Sequence, residues 1–181
     1  MSAIETFGNY GRTEAAGAAT HIRVVIPVND FTADWRRYNL VSNYLAEYSA
    51  YQFAQKDRAE NLISSVFYEL IEHVTRSSRR EAMLDICFGT AGQWLRFDVA
   101  SSFAKEEAAG FKAFMLELGR QELETVYRQM LEAEIDSAAG RRVIGLVMIA
   151  HDYHAELSAQ LDRDTGAVSL RALIGEQEIG A

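Results

Sequence analysis

Between Asn61 and Ser78 the chain reads NLISSVFYELIEHVTRSS. Its apolar residues Leu62, Ile63, Val66, Phe67, Leu70, Ile71 and Val74 recur every three or four positions. Only a helix gathers that spacing onto one face, and a stripe this wide has to be covered by another layer. Elsewhere the period drops to two. In QWLRFDV, Leu95, Phe97 and Val99 alternate with Trp94, Arg96 and Asp98, and AMLDICF precedes it across GTAG. AELSAQLD and AVSLRALI flank RDTG in the same way. Each pair predicts a β-hairpin. HIRVVIPV (His21–Val28) is short and β-branched, and Pro27 suits its edge or end.

Helical periods fill the rest. Asp30 or Thr32 is placed to cap a helix bearing Trp35, Tyr38, Val41, Tyr44, Leu45 and Tyr48. FAKEEAAGFKAFMLELG and RQELETVYRQMLEAEID form two helical pieces broken near Gly119, and SAAGRR reads as a loop. RVIGLVMIAHDYH is a last helix. Hairpins separated by helices, without regular βαβ alternation, predict an α+β two-layer sandwich: a mostly antiparallel sheet with helices packed on one face. Residues 1–20, with the low-complexity AAGAAT, are expected to be a flexible N-terminal arm or a short edge segment. Residues 21–175 are expected to form one domain, with 103–136 as a helical lid or insert.

The net charge of −8 argues against a nucleic-acid partner or an anionic membrane surface. No apolar run approaches the ~18 residues of a membrane span, and no signal peptide is evident. One cysteine, Cys87, cannot form an internal disulfide, so a buried inert thiol and a reducing, cytoplasmic setting are expected.

Several polar groups are candidates for chemistry. Glu69 and His73 sit one helical turn apart, with Ser65 a turn earlier; the spacing fits an acid–base pair or a simple hydrogen bond. His151 and His154 in HDYH lack the further ligands that a metal site needs, and no metal is expected. RSSRR (Arg76–Arg80) suits a helix C-terminus. The stripe Trp35, Tyr38, Tyr44, Tyr48, Tyr51 is expected to be mostly core, with a partner or homodimer surface as the alternative.

The element order, with FYELIEHVTRSS, resembles the GHKL (Bergerat) ATPase fold of histidine kinases, large heat-shock chaperone ATPases, gyrase B and anti-sigma serine kinases. The segment is similar to that family's ELxENAxxxS. Glu69 matches its Glu, and His73 stands where the family has the Asn that binds magnesium. Ser101 falls at the position of the adenine-reading Asp. In AAGRRVIGLVMIA, Gly140, Gly145 and Leu146 match parts of the GxGLGL box, with Arg142, Val143 and Ile144 in place of glycines. The likeness spans Ile22 to Ile174 and is nearest to small bacterial regulators of the anti-sigma and SiaB-like type. It implies ATP and magnesium as the ancestral ligands and a STAS-domain or response-regulator protein as partner. Two expectations follow. One is a signalling regulator whose nucleotide binding is weakened or lost and which acts through protein contacts of the lid and first helix, in partner-switching fashion. The other is an active ATP-dependent serine kinase or ATPase that uses Glu69 to activate the acceptor and His73 as metal ligand.

Overall fold

A computed structural model describes residues 3–13, 18–133 and 140–180. It is α+β, with a six-stranded sheet in the order β1-β5-β6-β4-β3-β2. The strands are β1 (Ile4–Phe7), β2 (Ala19–Pro27), β3 (Met83–Ala91), β4 (Trp94–Ser102), β5 (Glu156–Asp162) and β6 (Ala167–Gly175). Every neighbouring pair is antiparallel. The helices are α1 (Val28–Ala33), α2 (Arg36–Ala50), α3 (Lys56–Ser77), α4 (Lys105–Leu118), α5 (Leu123–Ala133), α6 (Gly140–Asp152) and α7 (Gln177–Gly180).

Both expected hairpins form. β3 and β4 are joined through Gly92 and Gln93, and Gly92 takes the left-handed conformation (φ 61°) that a two-residue turn asks of its first residue. In register across the sheet, Val24, Ile86, Val99, Leu170, Ala159 and Phe7 form one row on the helix side. Over it lies α3, whose Ile63, Val66, Phe67, Leu70, Ile71 and Val74 are fully buried. Phe67 meets Phe97 edge-on at 5.1 Å, and Phe97 meets Phe88 at 5.1 Å. α2 and α6 flank α3 in the helical layer.

The opposite face of the sheet is polar. Asp98 accepts a hydrogen bond from Arg171 Nε at 2.6 Å and forms an ion pair with Arg96 at 2.9 Å. The turn Tyr10–Thr13 covers this pair. Arg171 donates to the Tyr10 carbonyl at 2.7 Å, and the Tyr10 and Ser169 hydroxyls lie 2.6 Å apart.

Of the two readings of residues 1–20, the short edge segment and not the flexible arm holds at Ile4–Phe7, because its backbone completes the sheet on β5 and Glu5 is held by Lys112 and Arg163. Residues 15–17 of the AAGAAT stretch lie outside the described residues, and three other expectations need correction. Asp30 and Thr32 fall inside α1; Asp34 supplies the acceptor for the Arg36 N–H, at 3.1 Å. The aromatic stripe on α2 is mostly exposed, with Tyr38 alone of the five buried, since Tyr38 faces α3 and the other four point outward. Cys87 is only half-buried, on the polar face beside Asp85, where burial and that carboxylate push its thiol up to about 11. Among the described residues, no helix is long and apolar enough to cross a membrane.

Candidate functional site

The α3 stripe faces the sheet, so its polar flank turns toward α6 and α4. On that flank Glu69, Glu72, His73 and Arg76 meet Ile144, Gly145, Leu146 and Met148 of α6 around a cleft of about 180 Å³. The Glu69 carboxylate lies against the α6 backbone at Gly145; a Cβ there would overlap its Oε2. Gly145 is therefore the residue that lets α3 and α6 close over a carboxylate. Burial pushes the Glu69 carboxyl from 4.5 up to about 7, with the nearby Glu72 adding to the rise and Arg76 opposing it. Arg76 is itself engaged by Glu72 at 2.5 Å, an i, i+4 pair.

His73 lines the same cleft. It is 7% exposed and lies among aromatic rings, with Phe111 at 5.6 Å and Phe103 at 6.4 Å between centroids. It also lines a second and larger cavity, of about 480 Å³, shared by α3, α4, α5 and α6. The walls there are Phe111, Phe114, Met130 and Val143, and the charged lining residues are Glu106, Glu107 and Glu117.

Four of the six expected site residues thus converge: Glu69, His73, Gly145 and Leu146. Ser101 is not among the described residues that line either cavity. Ser101 continues the helix-facing row of β4, in register with Val168, and its buried Oγ has no hydrogen-bond partner among the described residues. Gly140 is the first residue of α6, so the chain is already helical where a phosphate-binding loop was expected. The rest of that loop, 137–139, lies outside the described residues.

A magnesium–triphosphate group was tested against this lining. Magnesium asks for oxygen ligands, and His73 offers an imidazole packed against phenyl rings. Glu69, Glu72, Glu106, Glu107 and Glu117 would repel phosphates, and the one basic side chain among the described lining residues, Arg76, is already neutralised. The described residues do not suit that group.

The acidic wall was missed in the sequence, although its signal was present. Glu106, Glu107, Gly110, Phe111, Phe114 and Glu117 share one face of α4 by the helical period. Among the described residues no group of three or more His, Cys, Asp or Glu side chains is placed to hold a metal ion. His151 stacks on Tyr127 at 4.1 Å and contacts Glu124 and Asp152, tying α6 to α5. No protein-family model matches the chain, and no curated protein matches it.

Proposed function

We propose that this chain is a bacterial signalling regulator on a GHKL-like, histidine-kinase-type scaffold, in which nucleotide binding is weakened or lost and protein contacts carry the signal. The observation that carries this reading is that the described lining residues of the α3–α6 cleft and the neighbouring cavity are mostly acidic and apolar, where a triphosphate would require donors and positive charge. The partner is a STAS-domain or response-regulator protein that docks on the lid helices α4 and α5. The test is calorimetric titration with ATP and ADP, with and without magnesium, followed by partner binding with and without nucleotide. The expected result is no heat and no thermal shift at millimolar nucleotide, and partner binding indifferent to it. A strict ATP requirement for partner binding would overturn the proposal.

One observation favours the second reading, an ATP-dependent serine kinase. Glu69 is held near neutrality inside a cleft, which is where a general base that activates a hydroxyl works best. That reading predicts magnesium-dependent phosphate transfer to a partner serine and its loss in Glu69→Gln with the fold intact. Absence of transfer from wild type with magnesium or manganese would remove it.

A further inference from the structure

The two edges of the sheet are built differently. β1 is four residues long and carries Glu5, bound by Lys112 and Arg163. Short, charged edges of this kind resist pairing with other chains. β2 is nine residues long and, among the described residues, pairs with β3 alone. Pro27 blocks one end and a register shift between Thr20 and Ile22 disturbs the other. Between them Ile22, Val24 and Ile26 pack on the core yet remain only half-buried. The one charge in that stretch, Arg23, is drawn back onto its own sheet by Asp85, with contacts of 2.9 and 2.5 Å.

Beside this open edge lies the exposed face of α2, with Leu40 69%, Tyr44 58%, Tyr48 55% and Tyr51 71% exposed. Contiguous apolar faces of this kind mark interaction surfaces. The two features belong to one surface, because His21 of β2 and Tyr48 and Tyr51 of α2 line the same groove. From that end β2 runs to Pro27, the chain turns through α1, and α2 runs back alongside.

We propose that β2 and α2 together form a twofold homodimer interface, in which β2 pairs antiparallel with β2 of a second copy and the α2 helices pack across the same axis. The spacing is what selects a second copy. From His21 to Pro27 the strand advances roughly 20 Å, and from Tyr48 back to Trp35 the helix covers about the same length. The midpoint of the strand is Val24 and that of the helix lies close to Ser42, so a single axis serves both. About it Ile22 meets Ile26, and Leu40 meets Tyr44. Arg37, held only at 3.4 Å by Asp30, meets Glu47 of the other copy. An isologous contact needs this self-complementarity, and an unrelated partner does not.

The test is sedimentation of the full chain across roughly 1–100 µM, spanning the range of moderate and weak dimers. A dimer at twice the 20.3 kDa chain mass is expected. Leu40→Glu with Tyr44→Glu should give a monomer with unchanged circular dichroism, since both side chains are exposed. Val25→Lys, which sets a charge opposite the second copy's Arg23, should weaken the dimer about tenfold or more. Arg37→Glu and Glu47→Arg should each weaken it, and the double swap should restore it. A monomer at every concentration overturns the proposal. So does a dimer that survives both Leu40→Glu with Tyr44→Glu and Val25→Lys, which would place the contact elsewhere.

Discussion

Asp98 and Glu69 are both carboxylates withdrawn from water, on opposite sides of one sheet, and their surroundings differ completely. Asp98 is gripped by two arginines, and through Arg171 it fastens the Tyr10 turn to the polar face. Glu69 sits against α6 with no hydrogen-bond donor among the described residues, and its nearest cation is spent on Glu72. A buried charge that is paired holds the fold together; one left unpaired weakens the fold when it ionises. The contrast separates a carboxylate placed for architecture from one placed for something else.

The largest effect expected from this contrast is at Asp98. Asp98→Ala leaves Arg96 and Arg171 buried without their counter-charge and should cost ~3–5 kcal/mol in urea unfolding. It should also free the N-terminal turn, seen as faster amide exchange around Tyr10. A loss below about 1 kcal/mol would mean that the arginines find water or other acceptors, and the contrast would collapse.

Glu69→Gln should act in the opposite direction. The folded pKa of about 7 lies above the ordinary 4.5, so the folded state holds more protons than the unfolded state between those values. Stability should therefore fall as pH rises from 4.5 to 7, and the penalty should be complete above 7. Discounted for the part of the side chain that water still reaches, the penalty is ~1–3 kcal/mol. Gln removes it, so the variant should match wild type near pH 4 and exceed it by that amount at about pH 8. A variant with the wild-type pH slope would place the titration on another group.

How far the sequence carries toward this picture depends on which residues are asked. The hairpins and α3 were legible because period two and period 3.6 are set by backbone geometry, which acts locally. Glu69 and His73 were legible as a pair for the same reason. The aromatic packing of His73 was not, because its ring is claimed by Phe103 and Phe111, residues thirty or more positions away. The α2 tyrosines misled in a different way. A stripe at helical spacing looks alike whether it faces core or solvent, and the face is decided by which side α3 occupies. Ile4–Phe7 carries too little pattern in four residues to announce a strand; it pairs because β5 offers an open edge. Asp98 stood in an alternating strand as one more polar residue, and its arginine partner comes from β6, far along the chain.

The smallest effect is the sharpest probe of the unpaired side. A glycine inside a helix normally costs about 1 kcal/mol against alanine, so Gly145→Ala should stabilise α6 on propensity alone. Here the new Cβ collides with the Glu69 Oε2. That atom ends a flexible side chain, so the carboxylate can swing toward solvent without moving the helices. Relief of the helix penalty and loss of the carboxylate's packing then oppose each other, and the net change should stay within about 1 kcal/mol. The informative readout is the carboxyl itself: once displaced into water, Glu69 should titrate near 4.5 again, visible as a shifted side-chain NMR titration. In the Glu69→Gln background the same Gly145→Ala change should leave the flat pH profile unaltered. If Gly145→Ala instead costs several kcal/mol while Glu69 still titrates near 7, the carboxylate is locked in the cleft. It would then belong with Asp98 among the groups that hold the fold.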